Sequence, residues 1–192
     1  MSDAFVEVVG EEDLRRRVEQ LGSEIAADYE GREPLVVGVL MGCVPFLADL
    51  TRAIGDPTIE IDMLSLARFG QEGRVGILLD TSIPLANRHV IVVEDIVDTG
   101  LTMTSLLREL ETRGVASLAT VALLDKAPRR IVDVPLEYRG FEVGDEFLLG
   151  YGLDWNGLFR NVRSLWAVMD LGQLARDPDS FAELVHGVSL PG

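Results

Sequence analysis

Hydrophobic residues recur near the start of the chain at the spacing of a helix. Leu14, Val18, Leu21 and Ile25 are separated by four, three and four positions, with charged residues between them. This spacing predicts an amphipathic helix over Glu11–Tyr29 with one apolar face. We expect that face to pack on a sheet.

Segments rich in apolar and β-branched residues farther along the chain favour strands. These segments are Leu35–Leu40, Thr58–Leu66, Val75–Leu79, Val90–Val93 and Ser117–Leu124. Helical patterns follow two of them, one over Pro45–Ile54 and one that begins near Thr102. The alternation predicts an α/β fold, a mostly parallel twisted sheet flanked by helices. In such a sheet the loops that follow the strands share one edge, where ligands bind.

The last third of the chain has a different pattern. Between Val134 and Asp170 the apolar pieces are short and are broken by Gly and Asp. They predict a small antiparallel hood, from about residues 134–165, joined by the N-terminal region. A tail over residues 171–192 should add a helix at Ser180–Val185, with Asp179 as its cap. No Pro/Gly/Ser-rich linker divides the sequence, so residues 1–192 are expected to form a single domain.

Charge and composition exclude several classes of partner. The formal net charge of −15 argues against binding to nucleic acid or to an anionic membrane surface, since both depend on basic protein surface. No apolar run approaches the roughly 20 residues that a membrane helix needs. The single cysteine, Cys43, cannot form a disulfide within the chain, and we expect a cytoplasmic protein.

Candidate chemistry concentrates between His89 and Arg113. Three acids, Glu94, Asp95 and Asp98, follow the apolar run Val90–Val93 and are expected to lie in a turn after that strand. Small residues then open a helix, and free amides at a helix start attract phosphate. Carboxylates beside an anion site would repel a phosphorylated ligand unless they accept hydrogen bonds from sugar hydroxyls or share a Mg²⁺ ion with the phosphates. The segment therefore predicts a site for a sugar phosphate and a metal.

This segment, VVEDIVDTGLT, resembles the phosphoribosyl pyrophosphate (PRPP) motif of the type I phosphoribosyltransferases. The resemblance implies that Glu94 and Asp95 bind the ribose and Mg²⁺. It also implies that the loop formed by Thr99, Gly100, Leu101 and Thr102 holds the 5-phosphate, and that Asp98 acts as general base near the purine imidazole. The alternative for Asp98 is an acid that stabilises the dipole of the following helix.

Two further segments, LLDKAPRR and FLLGYGLD, resemble the hypoxanthine-guanine phosphoribosyltransferases. By this resemblance Lys126, the only lysine of the chain, would contact the 6-oxo group of the purine. Phe147 would stack on the base, and the Leu148 carbonyl would meet its 2-position. Asp154 would border the base and hold a second Mg²⁺, and Arg160 would contact pyrophosphate. The alternatives are a solvated lysine and a core phenylalanine.

Two positions depart from that family's usual pattern. The loop after the first predicted strand of the sheet, with Met41 and Gly42, lacks the Lys or Arg that the family usually carries, although its amides can still bind an anion. The polar loop Arg68–Arg74, a candidate lid, has Arg68 and Phe69 where the family usually has Ser-Tyr.

The resemblance implies purine salvage. The expected reaction is Mg²⁺-dependent transfer of the 5-phosphoribosyl group from PRPP to N9 of hypoxanthine or guanine, by a homodimer or homotetramer. Two alternatives remain open. One is a transferase for xanthine or another base, and the other is a PRPP- or nucleotide-binding regulatory protein with little turnover.

Overall fold

The computed structural model describes residues 4–69 and 74–186. In that part the strands are β1 (Phe5–Val9), β2 (Leu35–Leu40), β3 (Glu60–Phe69), β4 (Arg74–Leu79), β5 (His89–Val97), β6 (Ser117–Asp125), β7 (Tyr138–Glu142), β8 (Phe147–Leu149) and β9 (Leu165–Val168). The helices are α1 (Glu11–Asp28), α2 (Val44–Ile54), α3 (Leu101–Glu111), α4 (Leu171–Arg176) and α5 (Asp179–His186), with a 3-10 turn at Ala127–Arg129.

Six strands form the main sheet in the order β4-β3-β2-β5-β6-β7. The pairings β3–β2, β2–β5, β5–β6 and β6–β7 are parallel, and β4 pairs antiparallel with β3 at the edge. The predicted α/β class with a mostly parallel sheet is therefore confirmed. The apolar stretches of the central strands, Leu35–Val37 of β2 and Val90–Val93 of β5, are fully buried because helices cover both faces of the sheet.

Helices α1 and α2 cover one face of the main sheet, and α3 covers the other. The four apolar residues that predicted α1 are all buried, between 0 and 2% exposed. Each such burial contributes about 1.5–3 kcal/mol to folding. The two helices approach closely at Gly22, where a Cβ atom would lie 2.5 Å from Cβ of Ala53. Only glycine permits this distance.

A second sheet of order β1-β9-β8 is antiparallel and forms the hood. The structure thus agrees with the expectation that the N-terminal region joins the hood. Hood residues Val9, Leu148 and Leu165 lie in the same buried cluster as Val36 and Ile91 of the main sheet. The two sheets therefore share one core.

Strand β7 corrects the predicted boundary of the hood. Its residues were assigned to the hood, but they pair in parallel with β6, Val121 opposite Tyr138, at the edge of the main sheet. The Tyr138 hydroxyl donates a 2.7 Å hydrogen bond to Asp28 of α1, which fixes the strand against that helix. An apolar pattern does not reveal which sheet a short strand joins.

The predicted lid loop is also corrected at its ends. Arg68 and Phe69 were placed in the loop, but both are residues of β3, and Arg68 pairs with Val75 of β4. The two strands pair antiparallel, and residues 70–73, which join them in sequence, lie outside the described residues.

The described part of the tail, residues 171–186, contains two helices where the sequence predicted one. The predicted helix is α5, and the additional α4 begins after Asp170, whose carboxylate accepts a 2.9 Å hydrogen bond from the Gln173 amide. Phe181 of α5 is fully buried against the hood. None of the described helices is both long and apolar enough to span a bilayer.

Candidate functional site

The carboxyl edge of the main sheet brings the predicted acids together, with one correction. Strand β5 continues to Val97, so Glu94 and Asp95 are strand residues and do not lie in a turn after Val93. The pairing continues because Glu94, Ile96 and Val97 lie opposite Ala122, Leu124 and Asp125 of β6. The acids therefore have a rigid backbone.

Burial dominates the electrostatics of this acidic pair. Oε2 of Glu94 has no exposed surface and no hydrogen-bond partner. Burial, reinforced by the neighbouring charge of Asp95, raises the pKa of Glu94 well above its usual range. Burial also raises the pKa of Asp95, although the Ile96 amide, at 2.9 Å, and the charge of Arg160 oppose the effect. Ligand hydroxyls or a cation would satisfy oxygens that the protein leaves without partners.

The loop between β2 and α2 packs on Asp95. A Cβ atom on Gly42 would lie 1.6 Å from Oδ2 of Asp95, so a larger residue there would displace the Asp95 side chain. The Leu40–Met41 peptide bond is cis, and the Met41 side chain is 62% exposed. The loop thus presents the apolar Met41 side chain to solvent while Gly42 and Cys43 are buried, and it supplies no cation.

Gly152 packs against the same loop, at the carbonyl group of Gly42. Its φ is +104°, and a Cβ atom there would lie 1.9 Å from the Gly42 carbonyl oxygen. The neighbouring Tyr151 donates a 2.7 Å hydrogen bond from its hydroxyl to Asp49 of α2. The segment that carries Asp154 is therefore attached to the helix that follows the loop.

Residues 98–102, which we call the phosphate loop, lead from β5 into α3. Gly100 adopts φ +84°, and a Cβ atom there would lie 2.3 Å from the Val132 carbonyl oxygen. The first helical hydrogen bond runs from the Thr104 amide to the Gly100 carbonyl, at 2.9 Å. The amides of Leu101, Thr102 and Met103 consequently have no acceptor within the helix. Free amides at the start of a helix are an arrangement that binds phosphate.

Asp98 and Lys126 lie side by side at the ends of β5 and β6. The Lys126 amide donates a 2.9 Å hydrogen bond to the Val97 carbonyl. Nε of Arg129 lies 2.8 Å from Oδ1 of Asp98, and both side chains are about half exposed, at 47% and 44%. The ion pair of Asp98 and Arg129 therefore lies beside Lys126 at the carboxyl edge of the sheet.

The base-binding residues of the sequence prediction lie beyond Lys126. Its Nζ donates a 2.6 Å hydrogen bond to the Glu146 carbonyl, and burial lowers the pKa of the ammonium. Phe147 contacts Trp155 edge to face, with ring centroids 5.7 Å apart. Leu148 is buried in β8 opposite Ala167. Lys126 thus supports the backbone of residues 146–148, which we call the base segment.

Asp154 and Arg160 form an ion pair, with Nη2 2.7 Å from Oδ1. Arg160 also donates a 2.6 Å hydrogen bond to the Gly152 carbonyl, and Asp154 accepts a 2.7 Å bond from the Gly157 amide. A ligand phosphate or cation at this point would compete with the ion pair.

The carboxylates fit a metal that is shared with substrate. Within residues 4–69 and 74–186, no group of three or more His, Cys, Asp or Glu side chains is placed to bind a metal by itself. Mg²⁺ is commonly held by one or two carboxylates together with substrate phosphates and water. Glu94 with Asp95, and separately Asp154, are the side chains that fit such a role.

A cavity of about 590 Å³ lies away from Asp98 and the base segment. It is bounded by α1, α2 and the segment that contains Tyr151 and Arg160–Arg163. Of the predicted site residues, only Arg160 lines it. The candidate site is instead the open edge above β2, β5 and β6.

Sequence reasoning missed one residue of this edge, Arg129, and two residues that support it from outside, Tyr151 and Asp49. Arg129 was part of the quoted segment LLDKAPRR, but nothing in its position along the chain indicated that it would reach Asp98. Tyr151 and Asp49 are 102 positions apart, and no local pattern signals their hydrogen bond.

Comparison with known proteins identifies the class that this fold and site define. The family described as "Phosphoribosyl transferase domain" matches residues 10–156. The chain has the type I phosphoribosyltransferase fold, and its mixed sheet matches that of solved hypoxanthine-guanine phosphoribosyltransferases.

Individual relatives show to which family of phosphoribosyltransferases the chain belongs. Hypoxanthine-guanine phosphoribosyltransferase of Bacillus subtilis is 36% identical over 159 residues, covering 81% of this chain and 88% of that protein. The Aquifex aeolicus enzyme of the same name is 40% identical over 165 residues, covering 83% and 92%. A crystal structure of the Bacillus anthracis enzyme has a TM-score of 0.82 at 38% identity, covering 85% of this chain and 98% of that one. The chain belongs to the hypoxanthine-guanine phosphoribosyltransferase family.

Some relatives are much longer. The bifunctional protein TilS/HprT of Listeria monocytogenes is 38% identical over 159 residues, and the chain spans 24% of its length.

Proposed function

We propose that this protein transfers the 5-phosphoribosyl group from PRPP to N9 of hypoxanthine or guanine, forming IMP or GMP and pyrophosphate in purine salvage. The observation that carries the proposal is the position of Lys126. Its amide bonds to β5 beside the phosphate loop, and its Nζ bonds to the base segment. One residue therefore connects a place for the sugar phosphate with a place for a flat base.

The residues divide the reaction between them. Amides of the phosphate loop hold the 5-phosphate, Glu94 and Asp95 accept hydrogen bonds from the ribose hydroxyls, and Arg160 contacts pyrophosphate. The N9–C1′ bond forms as the bond from C1′ to the pyrophosphate oxygen breaks, and pyrophosphate leaves with the electron pair. Asp98 accepts the proton that the purine imidazole loses.

A metal supports this scheme. Glu94, Asp95 and Asp154 would hold Mg²⁺, which when bound neutralises charge on the leaving pyrophosphate. The unpartnered Oε2 of Glu94 supports this assignment.

Base selection follows from donor and acceptor chemistry. The Lys126 ammonium can only donate, so it favours the 6-oxo group of hypoxanthine and guanine and disfavours the 6-amino group of adenine. Phe147 offers a ring face for stacking, and the Leu148 carbonyl faces the 2-position.

The test is formation of IMP or GMP from PRPP, Mg²⁺ and a panel of hypoxanthine, guanine, xanthine, adenine and uracil. We expect turnover with the first two bases and none with adenine or uracil. Faster turnover with xanthine or another base would favour the alternative transferase. Tight PRPP binding without product for any base would favour a regulatory protein, the alternative that the exposed Met41 motivates.

Assembly and location remain predictions. We expect a homodimer or homotetramer, which sedimentation analysis of the full chain would detect, and a cytoplasmic location, which a reducing compartment and the unpaired Cys43 would suit.

A further inference from the structure

We propose that Arg129 is a positioning residue for Asp98, an inference that rests on the proposed function. Arg129 fixes one oxygen of the Asp98 carboxylate and leaves the other to accept the proton from the purine.

The two carboxylate oxygens of Asp98 differ in their surroundings. Oδ1 has no exposed surface, although the side chain as a whole is 44% exposed. Nε of Arg129 lies 2.8 Å from this covered oxygen, without the alignment of a hydrogen bond. Oδ2 is therefore the oxygen that a ligand can reach.

The backbone of Arg129 is attached to the loop that it serves. Its amide donates a 2.9 Å hydrogen bond to the Lys126 carbonyl. The amides of Ile131 and Val132 both donate to the Thr99 carbonyl, at 2.9 and 3.1 Å. The segment from Lys126 to Val132 is thus fixed on both sides of Arg129 to the strand end and loop that carry Asp98.

Neighbouring arginines have a different partner. Arg130 and Arg139 both pair with Asp125, whose side chain is only 2% exposed, so these two arginines neutralise a buried charge. Arg129 alone of the three pairs with Asp98. Its contact lies at the ligand-facing edge, where the pairing serves orientation more than stability, because exposed ion pairs contribute little to folding.

The physical effect is on geometry. A general base must lie within hydrogen-bond reach of the proton that it accepts, and a free aspartate samples several rotamers. A guanidinium on Oδ1 restricts the carboxylate to orientations in which Oδ2 faces the base segment. Without Arg129, Asp98 is present but is misplaced for part of the time.

The test measures kcat and KM for Arg129→Ala and Arg129→Lys, each made in the wild-type and in the Asp98→Asn background. Arg129→Ala should lower kcat about 10- to 100-fold, the loss expected when a reacting group is misplaced by about an ångström. The KM for PRPP should stay at its wild-type value, and Arg129→Lys should restore part of kcat. In the Asp98→Asn background Arg129→Ala should cause no further loss.

A second readout does not depend on the residual activity of Asp98→Asn. Guanidinium ion added to Arg129→Ala should raise kcat, because it can occupy the vacated place beside Oδ1. The matched control is Arg16→Ala, which removes an exposed arginine paired with Asp13 on α1 and should leave kcat unchanged.

The outcomes separate this inference from the proposed function. Absence of IMP or GMP formation by the wild type overturns the function. With an active wild type, an unchanged kcat for Arg129→Ala overturns the inference, and so does an equal loss in both backgrounds. A loss that guanidinium does not restore, accompanied by a lower thermal midpoint, would show that Arg129 acts only through stability and would also overturn it.

Discussion

Lys126 supports the base segment, and in the proposed function it also binds the 6-oxo group of the purine, so a substitution can separate the two roles. At rest its Nζ donates to the Glu146 carbonyl, and burial lowers the pKa of the ammonium. Lys126→Gln keeps an amide donor for that carbonyl but removes the charge offered to a 6-oxo group. We expect kcat/KM for hypoxanthine to fall about 10- to 100-fold, since hydrogen bonds to charged groups contribute roughly 1.5–3 kcal/mol.

Steady-state kinetics with hypoxanthine and adenine checks this prediction. Discrimination against adenine should weaken in Lys126→Gln, because an amide side chain can also accept a hydrogen bond. Equal kcat/KM for the variant and the wild type with hypoxanthine would remove Lys126 from base recognition.

Glu94 should reduce the stability of the ligand-free protein. Its buried oxygen is unsatisfied, and the charge of Asp95 lies beside it. In Glu94→Gln the amide can donate to Asp95, so we expect the free energy of unfolding at neutral pH to rise by about 1–3 kcal/mol, the cost of an unsatisfied buried polar group. Affinity for PRPP with Mg²⁺ should fall at the same time.

The raised pKa of Glu94 predicts the direction in which folding stability changes with pH. Because the folded-state pKa of Glu94 is raised, the folded chain binds a proton that the unfolded chain has released. Wild-type stability should therefore decrease as pH rises from the unfolded pKa through the folded pKa, and Glu94→Gln should lack this decrease. Urea unfolding of both proteins across that range measures the difference, and parallel curves would contradict the argument.

At the scale of elements, the site depends on a contact between two loops. Gly152 meets the Gly42 carbonyl, and Gly42 in turn meets Asp95, so three segments that are distant in sequence stack closely. Gly152→Ala must displace the Gly42 loop. We expect it to lower kcat/KM for PRPP about 100-fold, because small displacements of positioning groups are costly in rate.

Gly31→Ala is the matched control for this prediction. Gly31 also has a positive φ, +73°, but no atom lies within 4 Å of the place where its Cβ would be. It should lose about 1 kcal/mol of stability through backbone strain alone and keep its kinetics. Kinetics and thermal unfolding of both variants provide the test, and similar kinetic losses would show that strain, and not the contact with Gly42, is responsible.

At the scale of the whole molecule, the tail completes the core of the hood. Phe181 lies 5.0 Å from the Phe5 ring and 4.9 Å from the Phe159 ring, measured between centroids. Phe159 precedes Arg160, so the tail also supports the segment with the predicted pyrophosphate contact. Phe181→Ala should lower the free energy of unfolding by about 3–5 kcal/mol.

Denaturant unfolding measures this effect against Leu184→Ala on the same helix. Leu184 is 41% exposed, and its truncation should change stability by less than about 0.5 kcal/mol. If Phe181→Ala were as stable as Leu184→Ala, the tail would be peripheral to the fold.

Local sequence patterns were sufficient to predict most of the helices and strands and the position of the phosphate loop. The spacing of Leu14 to Ile25 fixed α1, apolar runs fixed the central strands, and the order of acids and small residues before α3 indicated the phosphate loop. These properties are readable because a helix or a buried strand places neighbours in sequence on one face. The residues at which strands end were predicted less accurately. The pairing of β5 with β6 extended the strand through Glu94 and Asp95, against the expectation of a turn.

Tertiary structure alone decided which distant residues meet. It brought Arg129 to Asp98, Tyr151 to Asp49 and Gly152 to Gly42, and it placed β7 in the main sheet. No local pattern encodes these contacts, because each depends on how two segments pack after the sheet has assembled. The sequence by itself determined the elements and the residue types of the site, and close packing between segments determined their partners.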